Sequence, residues 1–409
     1  MRRIGIDMVE VARLETAIRR SGEGFLKKAF TARELKLLGQ DPERLAGRWA
    51  AKEAVIKCFD GTGYCLPRRK IEVLAAPSGA PVVRLLGPLE GTTAMVSITH
   101  HGGMAVAAAE LDLPEPALRP LVAPDAVRIP ERPLEAHKGT FGTAVVLAGS
   151  LGLTGAAYLT STAAARAGAG MVRLLVAEGI YPILAAKCTE VMATPVPEVA
   201  PGAVGHSATA AVLRQLETAA AAVIGPGLGR DSSTWRLVLD LLTQLKVPAV
   251  LDADALNALA DNQRMLKRIQ GNRVLTPHPG EMARLVRKPA TDIQSARDQT
   301  AAKAAAEWGV VVVLKGAKTV VAAPDGRLSV DPHEVPALAS GGTGDVLSGV
   351  IGGLLAQGLD PFEAAVTGVY VHAEAGRRVA ARLGDSGLLA SDLLPEVPAV
   401  MQTLRLGGF

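Results

Sequence analysis

At 409 residues the chain exceeds what one ordinary hydrophobic core organises, so two domains are expected. Apolar residues make up 49% and aromatic residues 3%, a balance that suits α/β layers packed through small side chains. No apolar run is long enough to span a bilayer, and the basic residues are not interleaved with stacking aromatics, which argues against membrane insertion and nucleic-acid binding.

The three cysteines, Cys58, Cys65 and Cys188, form neither a disulfide framework nor a metal-ligand pairing. The first residues, Met1-Arg2-Arg3-Ile4-Gly5-Ile6-Asp7, meet an acid before any long apolar stretch and do not read as a secretion signal. A cytoplasmic, reducing location is the expectation. The net charge of +4 is unevenly spread: 17 Lys+Arg stand against 12 Asp+Glu through Leu111, and 27 against 28 thereafter. The first part therefore points to an acidic partner or a polyphosphate ligand.

In chain order, the first part reads as α+β. It has a strand at Arg3–Met8, helices at Val11–Ser21, Ala32–Leu38 and Ala46–Phe59, then strands at Lys70–Ala75, Val82–Leu86, Thr93–Thr99 and Met104–Leu111. Six prolines between Asp112 and Pro133 forbid a continuous helix and mark the boundary, placing the domains at 1–116 and 117–409. Apolar Leu121, Val122, Val127 and Ile129 within this stretch suggest an arm leading onto the second domain. Beyond it, strands at Ala144–Ala148, Val172–Val176, Ala222–Ile224, Ala249–Leu251, Arg273–Leu275, Val310–Lys315 and Thr319–Ala322 alternate with Ala-rich helical stretches. That alternation predicts a mostly parallel sheet covered on both faces, with ligands at the carboxyl ends of its strands.

The polar motifs fall near those ends. Gly341-Gly342-Thr343-Gly344 runs into Asp345 and then into an apolar pattern at helical spacing. Bare N–H groups at such a helix start form an anion site, and a carboxylate beside bound phosphate can take a proton from an attacking hydroxyl. Taken alone, the motif is equally a glycine turn before a buried helix. Its companions are His137-Lys138-Gly139-Thr140-Phe141-Gly142, Gly225-Pro226-Gly227, Asp252-Ala253-Asp254, Thr276-Pro277-His278-Pro279-Gly280-Glu281 and Lys315-Gly316-Ala317-Lys318-Thr319. Each has a bland reading: a tight turn, a pair of helix-capping acids, an exposed loop histidine, a solvated lysine. Several such loops in one α/β unit favour a shared pocket. In the first domain Asp7 ends a strand and Glu53 lies on a helix, and two carboxylates from separate elements are a common way to hold Mg²⁺. Arg48, Lys52 and Lys57 on that helix read as a loosely basic face.

Over residues 1 to about 112 the ordered blocks Gly5–Glu10, Phe30–Glu34, Leu45–Ala54, Gly61-Thr62-Gly63 and Val96–His100 resemble holo-acyl-carrier-protein synthase, the 4′-phosphopantetheinyl transferase. The resemblance implies transfer of phosphopantetheine from coenzyme A to a serine of acyl carrier protein. It further implies Mg²⁺ on Asp7 and Glu53, Lys52 as a catalytic residue stabilising phosphate charge, and Arg13, Arg19 and Arg20 facing the acidic carrier protein. A homo-oligomer with sites between subunits is also implied.

From about Pro124 to Leu404 the motif order resembles ribokinase-like proteins and, among them, the ADP- or ATP-dependent NAD(P)HX dehydratases. This second resemblance implies a three-layer α/β domain that phosphorylates the hydroxyl of a hydrated nicotinamide cofactor so that phosphate can leave and NAD(P)H return. Asp345 would be the base. Ala156, Gly225, Gly227 and His278 would line the hydrated cofactor's site, with Asn257 and Glu281 close by. Lys315, Gly316, Ala317, Lys318 and Thr319, with Gly341, Gly342, Thr343 and Gly344, would contact ADP or ATP and the transferred phosphate. The alternative is a sugar or vitamin-precursor kinase of the same fold, fused to an inactive oligomerisation module.

Overall fold

The computed structural model describes residues 2–39, 41–59, 67–86, 94–112, 125–269 and 271–406. The chain divides into two compact units, Met1–Arg119 and Pro120–Phe409.

In the first unit, β1 (Arg2–Glu10) leads into α1 (Val11–Ala29), α2 (Ala32–Leu38) and α3 (Pro42–Lys57). The strands β2 (Ile71–Ala75), β3 (Pro81–Leu85), β4 (Ala94–His101) and β5 (Met104–Asp112) follow. The sheet β1-β5-β4 is antiparallel, and β2 pairs with β3 as a hairpin. Helix α1 runs beyond the expected Ser21 because the chain steps through a left-handed Gly22 (φ 58°) and resumes. Helix α3 starts four residues before the expected Ala46: Asp41 accepts from the N–H groups of Glu43 and Arg44, and Pro42 occupies the first turn.

Helix α3 crosses β1 at close range. A Cβ on Gly5 would lie 2.0 Å from the Ala54 carbonyl oxygen, so only glycine permits this crossing, which sets Asp7 on β1 near the helix carrying Glu53. The opposite face of the sheet shows Ile4, Ile6, Met8 and Met95, all at least 59% exposed. The Gly61-Thr62-Gly63 block lies outside the described residues, as do Pro114, Pro116, Pro120 and Pro124.

The described part of the second unit begins with the arm inside the proline-rich stretch, of which Leu121 and Val122 lie outside the described residues. Ala126, Val127 and Ile129 pack against its core, and the Arg128 N–H donates to Thr367 Oγ1 at 2.8 Å. Then come β6 (Thr143–Leu147), α4 (Thr154–Arg166), β7 (Met171–Ala177), α5 (Tyr181–Lys187), β8 (Met192–Val196), β9 (Glu198–Ala200), β10 (Ala203–Val204), α6 (Thr209–Leu216) and β11 (Ala221–Ile224). They are followed by α7 (Ser232–Gln244), β12 (Ala249–Leu251), α8 (Asp254–Asp261), α9 (Gln263–Leu266), β13 (Arg273–Leu275), α10 (Pro279–Val286), α11 (Ala290–Ser295), α12 (Arg297–Trp308) and β14 (Val311–Leu314). The last elements are β15 (Val320–Ala322), β16 (Leu328–Val330), α13 (Thr343–Ala356), α14 (Pro361–Leu383) and α15 (Ala390–Arg405).

Nine strands form one sheet in the order β16-β15-β14-β13-β12-β11-β6-β7-β8. It is parallel from β14 to β8 and antiparallel at β15 and β16. Strands β6 and β11 to β15 are buried at every residue, so helices cover both faces, the ribokinase-like α/β arrangement. The sequence reading missed β8, β9, β10 and β16. Pro195 inside β8 argues against a strand in general but is tolerated at a sheet edge, where β8 lies.

Helix α13 is buried along nearly its whole length. A Cβ on Gly349 would sit 2.1 Å from the Thr160 carbonyl oxygen, and one on Gly353 would sit 2.5 Å from that of Ala164. These glycines let α13 and α4 touch backbone to backbone. The first turn of α4, with Ala156, is thereby held beside the first turn of α13, with Asp345.

Candidate functional site

The loops after β6, β11, β12, β13 and β14 converge with the start of α13. Asp252 directly follows β12 and is 1% exposed. Its Oδ1 accepts from Lys315 Nζ at 2.8 Å and its Oδ2 from Ser348 Oγ at 2.7 Å. It is therefore no helix cap. Asp252 ties the end of β14 to α13, one turn past Asp345. Ala253 is left-handed (φ 49°), rare for a residue with a side chain, and it separates two acids with different tasks. Asp254 accepts from the Gly229 N–H at 2.8 Å and from Asn257 Nδ2 at 3.0 Å, stitching the glycine turn to α8.

That turn is built for close approach. Gly225 (φ 128°) and Gly227 (φ 63°) both lie in the positive region, and a Cβ on Gly227 would meet the Ala156 Cβ at 2.8 Å. Ser150 Oγ donates to the Gly227 carbonyl at 2.8 Å, and the Gly149 N–H to that of Pro226 at 2.8 Å. Ala156, Gly225 and Gly227 thus share one wall.

His278 caps α10. Its Nδ1 accepts from the Gly280 and Glu281 N–H groups, while Glu281 Oε2 accepts from the His278 N–H at 2.8 Å. Nδ1 is committed as an acceptor, and Nε2 lies 3.6 Å from Glu281 Oε1. Burial, then the Lys315 and Arg284 charges, hold the His278 imidazole below its usual pKa, so it is neutral near pH 7. Burial raises the Glu281 carboxyl, whose Oε2 lies 4.0 Å from Lys315 Nζ. Burial alone would lower Lys315, but Asp252 and Glu281 outweigh it and keep the ammonium charged.

Asp345 occupies the first turn of α13 behind the left-handed N-cap Gly342 (φ 88°), with Gly341 just before it. Burial and then the Asp252 charge raise its carboxyl from 3.8 to about 7, against the opposing effect of Lys315. A carboxyl titrating near neutrality beside an ammonium is suited to accept a proton in one step and return it in another.

A cavity of about 390 Å³ opens next to this cluster. Lys315, Gly316, Ala317, Thr319, Thr343 and Gly344 line its polar end, Val335, Pro336, Leu338, Val369 and Ala373 its apolar end, and Asp331, His333 and Glu334 also line it. A phosphate chain at the first end and a planar base at the second match this division. His372, also in the wall, is lowered to about 4 by burial, with its Nε2 2.9 Å from the Thr343 carbonyl. Lys318 departs from the expected role: it is exposed and pairs with Glu334 at 2.9 Å.

The His137–Gly142 motif also departs from expectation. It precedes β6, so it lies at the amino end of the strands, opposite the cluster. Its glycine there is structural, since a Cβ on Gly142 would lie 2.0 Å from the Ala356 carbonyl oxygen.

In the first unit, Asp7 pairs with Lys57 (2.9 Å) and Glu53 with Arg68, each carboxylate partly exposed. Lys52 is corrected from its expected catalytic role. Its ammonium is fully buried and donates to Glu34 Oε2 at 2.7 Å and to the carbonyls of Ile71 (2.6 Å) and Arg68 (3.0 Å). All three protons are used, so Lys52 holds the core together. The basic face of α3 accordingly dissolves, because Lys52 is inside and Lys57 bonds Asp7. Arg13, Arg19 and Arg20 are exposed on α1, Arg19 pairing with Glu15. Among the described residues no group of three or more His, Cys, Asp or Glu is arranged to hold a metal. No helix among them is long and apolar enough to cross a membrane.

The sequence reading named Asp252 within its motif without giving it a role of its own, and it passed over Ser348 and His372. An acid directly after a buried strand was the one available signal, for Asp252; the other two are polar residues inside apolar helices.

Residues 144–399 match the family model described as NAD(P)H-hydrate dehydratase, and residues 3–109 that of the 4′-phosphopantetheinyl transferase superfamily. The bifunctional NAD(P)H-hydrate repair enzyme of Moorella thermoacetica is 47% identical over 278 residues, 68% of this chain and 52% of that protein. The ADP-dependent (S)-NAD(P)H-hydrate dehydratase of Xanthomonas campestris is 38% identical over 65% of this chain and 90% of that protein. The ADP/ATP-dependent NAD(P)H-hydrate dehydratase of Bacillus subtilis, co-crystallised with ATP/Mg²⁺, superposes with a TM-score of 0.58 at 35% identity, covering 67% of this chain and 93% of that one. A ribokinase-like superfamily protein from Enterococcus faecalis gives a TM-score of 0.60 at 26% identity, over 67% and 92%. The chain spans about half the length of the first curated relatives it matches. It carries an N-terminal domain of the phosphopantetheinyl transferase superfamily, and over its larger unit the chain belongs to the NAD(P)H-hydrate dehydratase family.

Proposed function

We propose that the second unit dehydrates (6S)-NAD(P)HX to NAD(P)H at the expense of ADP or ATP. The observation that carries this reading is the meeting of Asp345, Lys315 and the first turn of α13 at the mouth of the nucleotide-shaped cavity. A Cβ on Gly344 would lie only 3.4 Å from Lys315 Nζ, so the ammonium and the helix N-terminus face the same phosphate. Asp345 takes the proton of the ring hydroxyl, whose oxygen attacks the terminal phosphorus of the nucleotide; the shortened nucleotide leaves. Phosphate then departs with the C–O bonding pair, a ring proton is lost, and the double bond of the dihydronicotinamide returns. Lys315 and the amides at Gly341–Gly344 take up the charge on the transferred phosphate. Glu281 and Asp345 are the residues that would hold a hydrated Mg²⁺, which would supply positive charge to the nucleotide phosphates when bound. Ala156, Gly225, Gly227 and His278 form the hydrated cofactor's wall. The test is NADHX with Mg²⁺ and either ADP or ATP, following NADH absorbance. No NADH with either nucleotide would return the unit to a small-molecule kinase of the same fold.

For the first unit we propose phosphopantetheine transfer from coenzyme A to an acyl carrier protein serine, leaving adenosine 3′,5′-bisphosphate. The family match and the neighbouring Asp7 and Glu53 support it. These carboxylates would hold Mg²⁺, which neutralises the pyrophosphate when bound. Lys57 and Arg68, both partly exposed and paired with the two carboxylates, take the phosphate-binding part first expected of Lys52. Arg13, Arg19 and Arg20 remain the proposed contact for the acidic carrier protein. The exposed row Ile4, Ile6, Met8 with Met95 favours self-association through the sheet. An apo carrier protein whose mass stays unchanged with Mg²⁺ and coenzyme A would sink the transferase reading. A solution mass unaltered by Ile6→Lys would sink the interface.

A further inference from the structure

A second charged cluster lies in the wall of the cavity, which Asp331 and His333 themselves line, and takes no part in the chemistry above. His333 is 3% exposed and sits between two buried carboxylates. Its Nδ1 is 3.1 Å from both oxygens of Asp331, and its Nε2 is 3.2 Å from Glu374 Oε2. A neutral imidazole has one N–H and one lone pair, and here the lone pair would face a carboxylate. Only the imidazolium donates to both sides. The geometry therefore requires a buried cation at this position.

The cluster connects the cavity wall to α14. Glu374 is on α14 and is also bonded by Arg377 (2.7 Å to each oxygen) and Arg378 (3.2 Å). Asp331 and His333 belong to the segment that continues through Val335–Leu338, the apolar end of the cavity. Two backbone bonds join that segment to the phosphate end: the Lys318 N–H to the His333 carbonyl at 3.1 Å, and the Asp331 N–H to the Thr319 carbonyl at 2.9 Å. Further on, Thr343 Oγ1 donates to the Leu338 carbonyl at 2.9 Å, next to the first turn of α13.

We propose that His333 is a positioning residue of the nucleotide site: as an imidazolium it latches the 331–338 wall, and with it Lys315–Thr319, onto α14. This rests on the cavity being the nucleotide site. A neutral imidazole keeps one N–H, and since Asp331 shares the wall segment with His333 and also accepts its backbone N–H, the bond given up is the one from Nε2 to Glu374, which ties the wall to α14.

The charged and titratable groups around His333 are Asp331 on its own segment, Glu374, Tyr370, Arg377 and Arg378 on α14, and the Lys318–Glu334 pair on the outer side. Burial works against the charged form of His333, but the bonds to Asp331 and Glu374 outweigh it and raise its pKa above 6.5. Glu374 is held at about 2 and Tyr370 is raised to about 12, so neither changes charge between pH 7.5 and 9.5. Lys315 stays charged across that window, and Asp345, at about 7, is largely ionised at its lower edge.

The test is direct binding of ADP with Mg²⁺, by calorimetry, from pH 7.5 to 9.5, on the full chain. Wild type is expected to lose about tenfold in affinity as His333 deprotonates, the scale of one charge-assisted hydrogen bond. Glu374→Gln should move that loss to lower pH, a displacement that a merely structural role does not produce. His333→Gln should bind weakly and without pH dependence. The ring ¹⁵N shifts of His333 in wild type give a readout that needs no variant, with both nitrogens protonated at pH 6. Neutral His333 at that pH, or binding that is flat with pH in wild type and unaltered in Glu374→Gln, would overturn the latch. Absence of ADP binding at every pH would instead overturn the nucleotide site itself, and the latch with it.

Discussion

Asp345→Asn separates stability from catalysis in a way the structure quantifies. The carboxyl is raised from 3.8 to about 7 by burial and by the Asp252, Asp254 and Glu281 charges, with Lys315 opposing. A gap of that size corresponds to roughly 4 kcal/mol favouring the protonated form in the folded state. Because the folded pKa is the higher one, this stabilisation is whole below pH 3.8, declines through the interval to about 7, and is lost above it. At pH 8 wild type therefore folds with an ionised Asp345 in unfavourable surroundings. Asparagine keeps the shape and removes the charge. Solvent reaching the partly open site reduces the effect, so the expected gain at pH 8 is about 2 kcal/mol, shrinking toward zero near pH 4. Urea unfolding of wild type and variant at pH 4.5 and pH 8 measures it. NADH formation by the variant should fall by about a thousandfold or more, as for loss of a general base, while ADP still binds. A variant no more stable than wild type at pH 8, or equally stabilised at both pH values, refutes the electrostatic reasoning; retained turnover refutes the base assignment.

In wild type, kcat/KM should rise with pH to a plateau above about pH 7 as Asp345 ionises, and a profile flat from pH 5 to 8 would contradict this. Asp252→Asn removes an anion beside Asp345 and frees Lys315, so that limb should move to lower pH and turnover should drop about tenfold to a hundredfold. Gly349→Ala places a Cβ 2.1 Å from the Thr160 carbonyl oxygen and should cost about 3 kcal/mol in thermal unfolding of the second unit, whereas a loss below about 1 would show that α4 and α13 can separate freely. Lys52→Met leaves Glu34 buried without its cation and should destabilise the first unit by about 3–5 kcal/mol while NADH formation by the second continues; near-normal urea unfolding would restore Lys52 to a surface role.

Much of the fold was legible because its signals are local. Ala249–Leu251 is a short apolar run closed by Asp252, and Arg273–Leu275 puts Val274 and Leu275 before Thr276; both coincide with strands, β12 and β13. The alternation of such runs with Ala-rich stretches implies parallel pairing. The missed strands are those for which a neighbour decides: β8 contains a proline that only an edge position permits, and β16 is three residues long and pairs only with β15. The site divides the same way. Asp345 behind its glycines announces itself, whereas Ser348 one turn later looks like a small residue in a buried helix until Asp252 is seen opposite it.

The sequence by itself pointed to a boundary among the prolines, and it determined that the larger part is a mostly parallel α/β unit with most of its polar loops near strand ends and that Gly341–Asp345 starts a buried helix. These follow from composition, periodicity and backbone permissiveness, which are properties of short stretches. Only the tertiary structure decided which charges face one another. Lys52 and Lys315 both stand among apolar residues and look alike in the chain. Lys52 spends all three protons inside the first unit, while Lys315 sits at a strand end with Asp252 on one side and the cavity on the other. A side chain's task is set by which groups share its low-dielectric surroundings, and those groups come from parts of the chain that only folding brings together.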